Sequence, residues 1–331
     1  MMSKSRSNPE HAVSDAPSAP QAEERDPGGF VLFGDVRKAH RPEPGLYLVA
    51  TPIGNIGDIS LRALETLASA DLVACEDTRM TRRLFDRYGI HRPMTPYHEH
   101  NAAKQRPRLL AALAEGGVVA LVSDAGTPLV SDPGYRLVQE AVEAGHKVYP
   151  IPGASAVMAG LVVAGLPSDA FLFAGFLPTK GGPRRRRITQ FANVPATLIF
   201  FESPNRVSSA LADLVSELGG ERQAAVAREL TKRFETIERG TLGELAERFS
   251  GQAVKGEIVI LIGPPGDGAS EEIDVDAALT EALTRLSPSA AAGEVAKATG
   301  LERRSLYKRV LELRDSSSDD AETGGAEGNE A

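Results

Sequence analysis

The side chains best suited by type to move a proton gather in two short stretches. Tyr97-His98-Glu99-His100-Asn101 puts two imidazoles and a carboxylate within three residues. Cys75-Glu76-Asp77-Thr78-Arg79 adds two carboxylates and a guanidinium. Imidazole and carboxylate both accept protons near neutral pH, so His98, Glu99, His100, Asp77, Asp124 and Glu235 are candidate general bases. Each has an ordinary alternative. The histidines can hydrogen-bond within a loop, and Glu76 or Asp77 can cap a following helix. The chain adds no further Cys or His to complete a closed ligand set around His98 and His100, so no metal is expected. Cys75, the only cysteine, ends an apolar run and reads as inert core.

A third stretch, Val118 to Gly134, organises the chain. Val118–Val122 is unbroken and apolar, the pattern of a strand buried on both faces. It stops at Ser123-Asp124-Ala125-Gly126-Thr127-Pro128. A glycine there lets a ligand approach the backbone closely. Asp132-Pro133 is expected to open the next helix, with Asp132 as N-cap and Pro133 in the first helical position. Leu46–Ala50, followed by Pro52-Ile53-Gly54-Asn55, repeats the scheme of strand, glycine turn and helix, with Asp58 or Ser60 as cap. In open α/β sheets such turns form the ligand rim. The chain lacks GxGxxG and GxxxxGK[ST], which argues against a dinucleotide or P-loop site.

These loops need a framework. Strands at Leu46–Ala50, Leu72–Cys75, Val118–Val122 and Val148–Pro150 alternate with helices, the last running over Ala156–Gly165. The alternation predicts a mostly parallel sheet over residues 44–164. A mixed α/β domain is expected over 165–266, with strands at Phe171–Phe173, Thr197–Phe201, Ala224–Ala227 and Ile258–Ile262. Leu177–Arg187 reads there as a basic, mobile loop. Residues 274–313 have the spacing of a three-helix, helix-turn-helix-like unit, its third helix beginning at Arg303. Residues 1–43 and 314–331 read as disordered, the latter an acidic tail.

Composition sets limits. The chain has 331 residues, 42% of them apolar and 25% charged, as in soluble globular proteins. No apolar run approaches a membrane span, and no secretory signal is apparent, so a cytoplasmic protein is expected. The net charge of −8 argues at first against a nucleic-acid partner. Six of those charges are the tail carboxylates Asp315, Asp319, Asp320, Glu322, Glu327 and Glu330, leaving −2 for the rest. A nearly neutral body can bind RNA through local basic patches. Arg184, Arg185, Arg186 and Arg187 form one such patch. Arg303 and Arg304, with Lys308 and Arg309, form another.

Nine segments in one order carry a resemblance: LYLVATPIGNIGDISLRALETL (46–67), CEDTR (75–79), YHEHN (97–101), LVSDAGTPLVSDPGYRLV (121–138), PGAS (152–155), GFLPTK (175–180), FFESPNR (200–206), RELTKRFE (228–235) and KGE (255–257). They resemble the RsmI family of 16S rRNA (cytidine-1402 2′-O)-methyltransferases over roughly residues 45–313. That resemblance implies a two-domain tetrapyrrole-methylase-like fold and S-adenosylmethionine as cofactor, bound between the domains. It implies cofactor contacts from Pro52, Gly54, Ala125, Gly126, Thr127, Ser155, Ala156, Glu202 and Leu230. The substrate would be 16S rRNA in the small ribosomal subunit, and the assembly a homodimer. A ribose 2′-OH is a weak nucleophile, so a base near it would help, and the YHEHN segment is favoured. Arg79 would clamp a backbone phosphate through its planar fork. Two alternatives stay open: methylation of a small tetrapyrrole, and a non-catalytic RNA-binding or ribosome-assembly protein.

Overall fold

A computed structural model describes residues 28–266, 275–299 and 301–322. The chain divides into two compact units, 1–52 with 56–154, and 53–55 with 155–331.

Unit 1 is built on an all-parallel five-stranded sheet. Its strands are β3 (Gly45–Val49), β4 (Leu72–Cys75), β5 (Met94–Pro96), β6 (Val118–Val122) and β7 (Val148–Ile151), in the order β5-β4-β6-β3-β7. All five residues of β6 are buried, as expected for the strand at the middle of a sheet covered on both faces. On one face α1 (Leu61–Ser69) and α2 (Thr78–Tyr88) bury Leu64, Leu67 and Phe85 against Tyr47, Val73 and Ala120. On the other, α3 (Ala102–Ala114) and α4 (Tyr135–Glu143) bury Leu109, Leu113 and Leu137 against Leu46, Val119 and Leu121. The alternation of inward side chains along each strand makes two cores from one sheet.

The helix ends follow local chemistry. Ser60 caps α1, accepting from the Ala63 amide at 3.1 Å. Asp77 caps α2, and Gly89 ends it in the left-handed conformation at φ 61°. Asp132 does not cap α4. That helix begins at Tyr135, with Gly134 at φ 137° before it. The Leu129 and Leu121 side chains crowd the space a Gly134 Cβ would need. The chain therefore turns later than the Asp-Pro signal predicts.

The extension expected to be disordered folds from residue 28 onward; residues 1–27 lie outside the described residues. A hairpin of β1 (Gly29–Leu32) and β2 (Asp35–Lys38) buries Phe30 in the core of α1 and α2. Arg41 then grips Asp71 with both terminal nitrogens at 2.9 and 2.6 Å. Asp71 also accepts from the Val118 amide at 2.7 Å. One buried aromatic and one ion pair fix a segment whose composition looks unstructured.

Unit 2 holds a mixed sheet in the order β11-β10-β12-β9-β8. Its strands are β8 (Phe171–Phe176), β9 (Thr197–Glu202), β10 (Gln223–Arg228), β11 (Thr236–Thr241) and β12 (Ile258–Ile262). Only β8 and β9 pair in parallel. The helices α6 (Gly181–Thr189), α7 (Val207–Leu218) and α8 (Leu242–Phe249) supply Ile188, Leu211 and Leu245 to one core. The helix α5 (Ala156–Ala164) also belongs to this unit, so the boundary falls at residue 155 and not at 165. The reason is packing: at Gly160 the helix lies so near β12 that a single added Cβ would already be in van der Waals contact with the Val259 and Leu261 side chains.

Two further expectations change. The basic stretch expected as a mobile loop is the helix α6, with Pro183 tolerated in its first turn. The strand β11 and helix α8 are not legible in the sequence, because TIERGT lacks an apolar alternation; a capping box between Thr241 and Glu244 nonetheless starts α8 cleanly. The helices α9 (Val275–Leu283), α10 (Pro288–Thr299) and α11 (Arg303–Glu322) form the expected helical unit around Leu279, Ala292, Val295, Leu306 and Val310. The third helix runs on to Glu322, so the tail does not begin at 314; residues 323–331 lie outside the described residues.

Candidate active site

Parallel strands bring all their carboxyl ends to one edge, so the loops after β3, β4, β5, β6 and β7 share one rim of unit 1. The two central loops are tied together. Thr51 and Gly126 exchange backbone hydrogen bonds at 2.9 and 3.0 Å, and the Thr51 hydroxyl donates to the Ser123 carbonyl at 3.2 Å. Chain connections leave β3 and β6 in opposite directions across the sheet, which makes this pair the topological switch point where α/β folds bind ligands. Gly126 is buried at φ 82°, a conformation that a side chain would strain. Ala125 and Thr127 flank it, exposed, and the Thr127 hydroxyl donates to the Ala154 carbonyl at 3.3 Å. Pro52 follows the bridged Thr51 on the same rim.

Strain concentrates here. Among the described residues, five non-glycine residues have positive φ. Leu129 and Ser131 lie in the central loop of unit 1, and Glu229 and Thr231 in the loop after β10 of unit 2. Only Phe33, at the hairpin turn, lies elsewhere. Left-handed non-glycine residues persist where the surrounding structure holds them, and functional loops are their usual place.

The carboxylates of the rim divide by their neighbours. Asp77 accepts from the Arg79 amide at 2.8 Å and from the Arg79 guanidinium at 2.6 to 3.1 Å. These bonds hold its carboxyl down at about 2. A group so acidic, with both oxygens engaged, is a poor base; Asp77 is a helix cap and an anchor for Arg79. Arg79 remains largely exposed and open to an anion. Asp132 goes the other way. Burial and the nearby Glu76 and Asp124 raise its carboxyl to about 6. Burial and the Asp124 carboxylate also raise Glu76, partly offset by a hydrogen bond from the Asp124 backbone. Asp124 itself accepts from the Asp77 amide at 2.9 Å, joining the β6 loop to the β4 loop. Sequence reasoning misses Asp132 as a proton-transfer candidate, since its elevation arises only when burial and two remote carboxylates converge.

The YHEHN segment is a tight turn. Asn101 accepts from the His98 amide at 2.9 Å and donates to the Pro96 carbonyl at 3.0 Å. His98 is half-buried, Glu99 and His100 are exposed, and the two imidazoles meet edge-on with centroids 6.1 Å apart. His98 is the half-buried imidazole of this segment, held in the turn through its amide by Asn101. Among the described residues, no three His, Cys, Asp or Glu side chains cluster to hold a metal ion.

In unit 2, Glu202 ends β9 and Arg228 ends β10, and both pair across Ile258 of β12. Their following loops therefore share one end of that sheet. The Glu202 side chain is fully buried, and one oxygen accepts from the Ser203 amide and the Arg206 guanidinium, both at 2.7 Å. Among the described residues its other oxygen has no partner, and neither does the buried hydroxyl oxygen of Thr231. Buried polar atoms without partners are rare, so two at one sheet end mark a place for a polar ligand group. Leu230 lies buried between left-handed Glu229 and Thr231. Glu235, a candidate base, instead accepts from the Thr231 amide at 2.6 Å and braces this loop. Gly54 joins the same unit, lying so close to the Lys232 stem that a Cβ would collide with it. Ser155 caps α5 by accepting from the Met158 amide at 3.4 Å, and Ala156 is the helix's first residue. Their helix start presents free N–H groups.

The arginines expected at RNA divide too. Arg184 is buried and donates to Asp213 at 2.6 Å and to the Ser209 carbonyl at 3.2 Å. It holds α6 on α7 and is withdrawn from any phosphate. The repeat that positions it, Arg184 with Ile188 one turn on, is hidden in the sequence because an arginine does not signal an inward position. Arg185 shares Asp213 at 2.8 Å but is more than half exposed. Arg186 is exposed, and Arg187 lies over the Phe191 ring and donates to Gln190. Arg303 and Arg304 are exposed on α11.

This switch-point rim in an α/β fold agrees with comparisons to known proteins. Residues 45–246 match the Tetrapyrrole (Corrin/Porphyrin) Methylases, and residues 269–314 match the RsmI C-terminal HTH domain. Solved structures share the fold. A cobalt precorrin-4 methyltransferase aligns with a TM-score of 0.51 at 18% identity, and a diphthine synthase with 0.52 at 20%; each alignment covers 66% of this chain, with 94% and 89% of the respective partner. The fold and match thus define a tetrapyrrole-methylase-class protein.

Relatives narrow the class. Ribosomal RNA small subunit methyltransferase I of Mesorhizobium japonicum is 57% identical over 86% of this chain and 98% of its own length. The proteins of that name from Pseudomonas aeruginosa and Escherichia coli O157:H7 are 45% and 44% identical, over 81% and 83% of this chain and 96% and 98% of their own lengths. The chain belongs to the ribosomal RNA small subunit methyltransferase I family, RsmI.

Proposed function

We propose that this protein methylates 16S rRNA of the small ribosomal subunit, with S-adenosylmethionine as donor and the ribose 2′-oxygen of cytidine 1402 as acceptor. Full-length identity to proteins named for small-subunit rRNA methylation supports the substrate class. The observation that carries a small-molecule donor is the Thr51–Gly126 bridge, a backbone cradle at the switch point of unit 1. The two orphaned acceptors Glu202 and Thr231 in unit 2 fit a ligand that bears amino groups. When bound, the cofactor supplies an electrophilic methyl on a sulfonium.

The chain's own residues do the rest. Ala125, Gly126 and Thr127, with Pro52, offer backbone groups and little bulk, which suits a close-fitting ligand. Gly54, Ser155, Ala156, Glu202 and Leu230 are the unit 2 residues assigned to the same cofactor. The α5 N-terminus, at Ser155 and Ala156, suits a carboxylate. Positioning does much of the work in a methyl transfer, since acceptor and leaving group must lie in line. His98, beside the raised carboxyl of Glu76, is the base assigned to the 2′-hydroxyl proton, and Arg79 the phosphate clamp. Glu99 and His100 are the flanking candidates. Arg185 to Arg187 and Arg303 with Arg304 would contact RNA; Arg184 is excluded by its burial. The protein would act in the cytoplasm, where small subunits are assembled, and as a homodimer; no helix of the described residues is long and apolar enough to cross a membrane.

The test uses small subunits from a strain lacking the protein, with labelled methyl donor, and maps the label by mass spectrometry. Label on the cytidine 1402 ribose is expected. Label absent from subunits and free 16S rRNA, despite tight cofactor binding, would redirect the cofactor site to another acceptor. Gly126→Val should abolish cofactor binding by calorimetry while circular dichroism stays native; full affinity would overturn the loop assignment. Gly126→Ala, with a smaller side chain in the same backbone, should retain part of the affinity.

A further inference from the structure

The helical unit carries a surface that the methylation chemistry does not use. Fold relatives in the tetrapyrrole methylase class align over only 66% of this chain, whereas the RsmI relatives align over 81% and 86%. The tetrapyrrole methylase match ends at residue 246, whereas α9, α10 and the first part of α11 fall in residues 269–314, which match the RsmI C-terminal HTH domain. Within that unit, two arginines are neutralised. Arg309 pairs with Asp276 at 2.6 Å and with Glu312 at 3.0 Å, and Arg285 pairs with Glu294 at 2.7 Å. The Arg309–Asp276 and Arg285–Glu294 pairs fasten helix to helix and loop to helix.

The other cations stand apart. Arg304 makes no ion pair among the described residues, and Lys308 reaches only the edge of pairing with Glu312, at 4.0 Å and largely exposed. Arg303 is fixed without a carboxylate. It donates to the Ser289 carbonyl and hydroxyl at 3.2 and 3.0 Å, with its guanidinium close over Gly293. Arg304, Tyr307, Lys308 and Leu311 fall at i, i+3, i+4 and i+7, one exposed stripe of α11. Tyr307 is 41% exposed, and its hydroxyl has no hydrogen bond among the described residues. It lines a concavity of about 520 Å³ with Ser289, Glu302, Arg303 and Arg304.

We infer that this stripe is a docking site for single-stranded RNA, with Tyr307 as a stacking platform for one unpaired base and Arg304 and Lys308 on the flanking phosphates. The inference rests on the rRNA reading above. Charge complementarity favours a polyanion: Arg304 and Lys308 lie on the outward stripe, while Asp276 and Glu294 are engaged by Arg309 and Arg285. Helix-turn-helix units usually insert their second helix into a duplex major groove. In A-form RNA that groove is too deep and narrow for side chains to read, whereas unpaired bases stack on exposed aromatics. Glu302, in the wall of the concavity, donates nothing to phosphate and accepts from the Ser305 hydroxyl at 3.1 Å. It keeps backbone phosphate out of the hollow and leaves that space to a base.

The experiment measures binding of a labelled single-stranded 16S fragment around the decoding region to the full-length protein by fluorescence anisotropy across salt. The same fragment annealed to its complement is the comparison. Tyr307→Ala should weaken single-strand binding about tenfold, and Tyr307→Phe should restore it. Arg304→Ala with Lys308→Ala should flatten the slope of log affinity against log salt by roughly 0.7 for each phosphate left unneutralised. Cofactor affinity by calorimetry should not change in any of these variants. On small subunits the effects should fall on KM and leave kcat in place. Unchanged single-strand affinity in Tyr307→Ala would overturn the inference, as would duplex bound as tightly as single strand. Failure of the methylation reading shows separately, as absent methyl transfer by the wild-type protein.

Discussion

The two basic clusters of this chain have similar sequences and opposite fates. Arg184 begins a run of four arginines, and Arg303 a stretch with four cations in seven residues. In α6, Arg184 is 6% exposed and its charge closes on Asp213, a carboxylate brought in from α7. In α11, Arg309 is the cation that closes on carboxylates, and Arg303 and Arg304 face outward without them. The lesson is that a cluster's composition does not say which member is structural. The carboxylate that a neighbouring helix presents decides it.

The carboxylates show the same contrast. Burial alone would raise Asp213, but Arg184 and Arg185 overcome it and hold the carboxyl below its ordinary value. Asp132 is raised by burial and by the carboxylates of Glu76 and Asp124, against a smaller opposing hydrogen bond from Ser123, and it rises to about 6.

The sharpest way to break the comparison is Arg184→Ala. Leaving Asp213 buried with one partner removed should cost about 3–5 kcal/mol by urea denaturation. A cost under about 1 kcal/mol would erase the distinction between the clusters. Arg304→Ala, by contrast, should stay within roughly 0.5 kcal/mol of wild type, as exposed substitutions do. The linkage through Asp213 can be read against pH. Its depressed carboxyl adds stability above the unfolded value of about 3.9, and that stability is lost as pH falls through the folded value.

Asp132→Asn sharpens the same contrast with a smaller effect and the opposite sign. A raised carboxyl makes the folded state lose stability as pH rises from about 4 to about 6, where the folded protein holds the extra proton. The variant should therefore melt higher than wild type at pH 7 to 8, with a difference that shrinks toward about pH 3. An identical pH dependence in both proteins would remove the carboxylate cluster from the rim. The smallest effect belongs to Arg186→Ala, which should leave stability unchanged and reduce the salt dependence of RNA binding by at most the share of one phosphate.

Much of the framework is legible in the sequence. The apolar run Val118–Val122, the caps at Ser60 and Asp77 and the break at Gly126 are local signals, and each lies where the periodicity and turn chemistry place it. The ordered motifs carry the family, because several long segments in one order constrain a sequence far more than any single one. Local signals fail where a distant partner outvotes them. Asp132-Pro133 yields to Gly134 under the Leu121 and Leu129 side chains. The disordered-looking residues from 28 onward yield to Phe30 and the Arg41–Asp71 pair. The helix α5 goes to the second unit because its small face fits β12.

The sequence by itself therefore determined the strands, most helices, the glycine turns and the family, since all of these depend on neighbours within a few residues or on motif order. Only the tertiary structure decided which charges are free. It buried Arg184, lowered Asp77, raised Asp132 and left one oxygen of Glu202 without a partner among the described residues. Charge interactions and desolvation depend on distance in space, and residues far apart in the chain set them together.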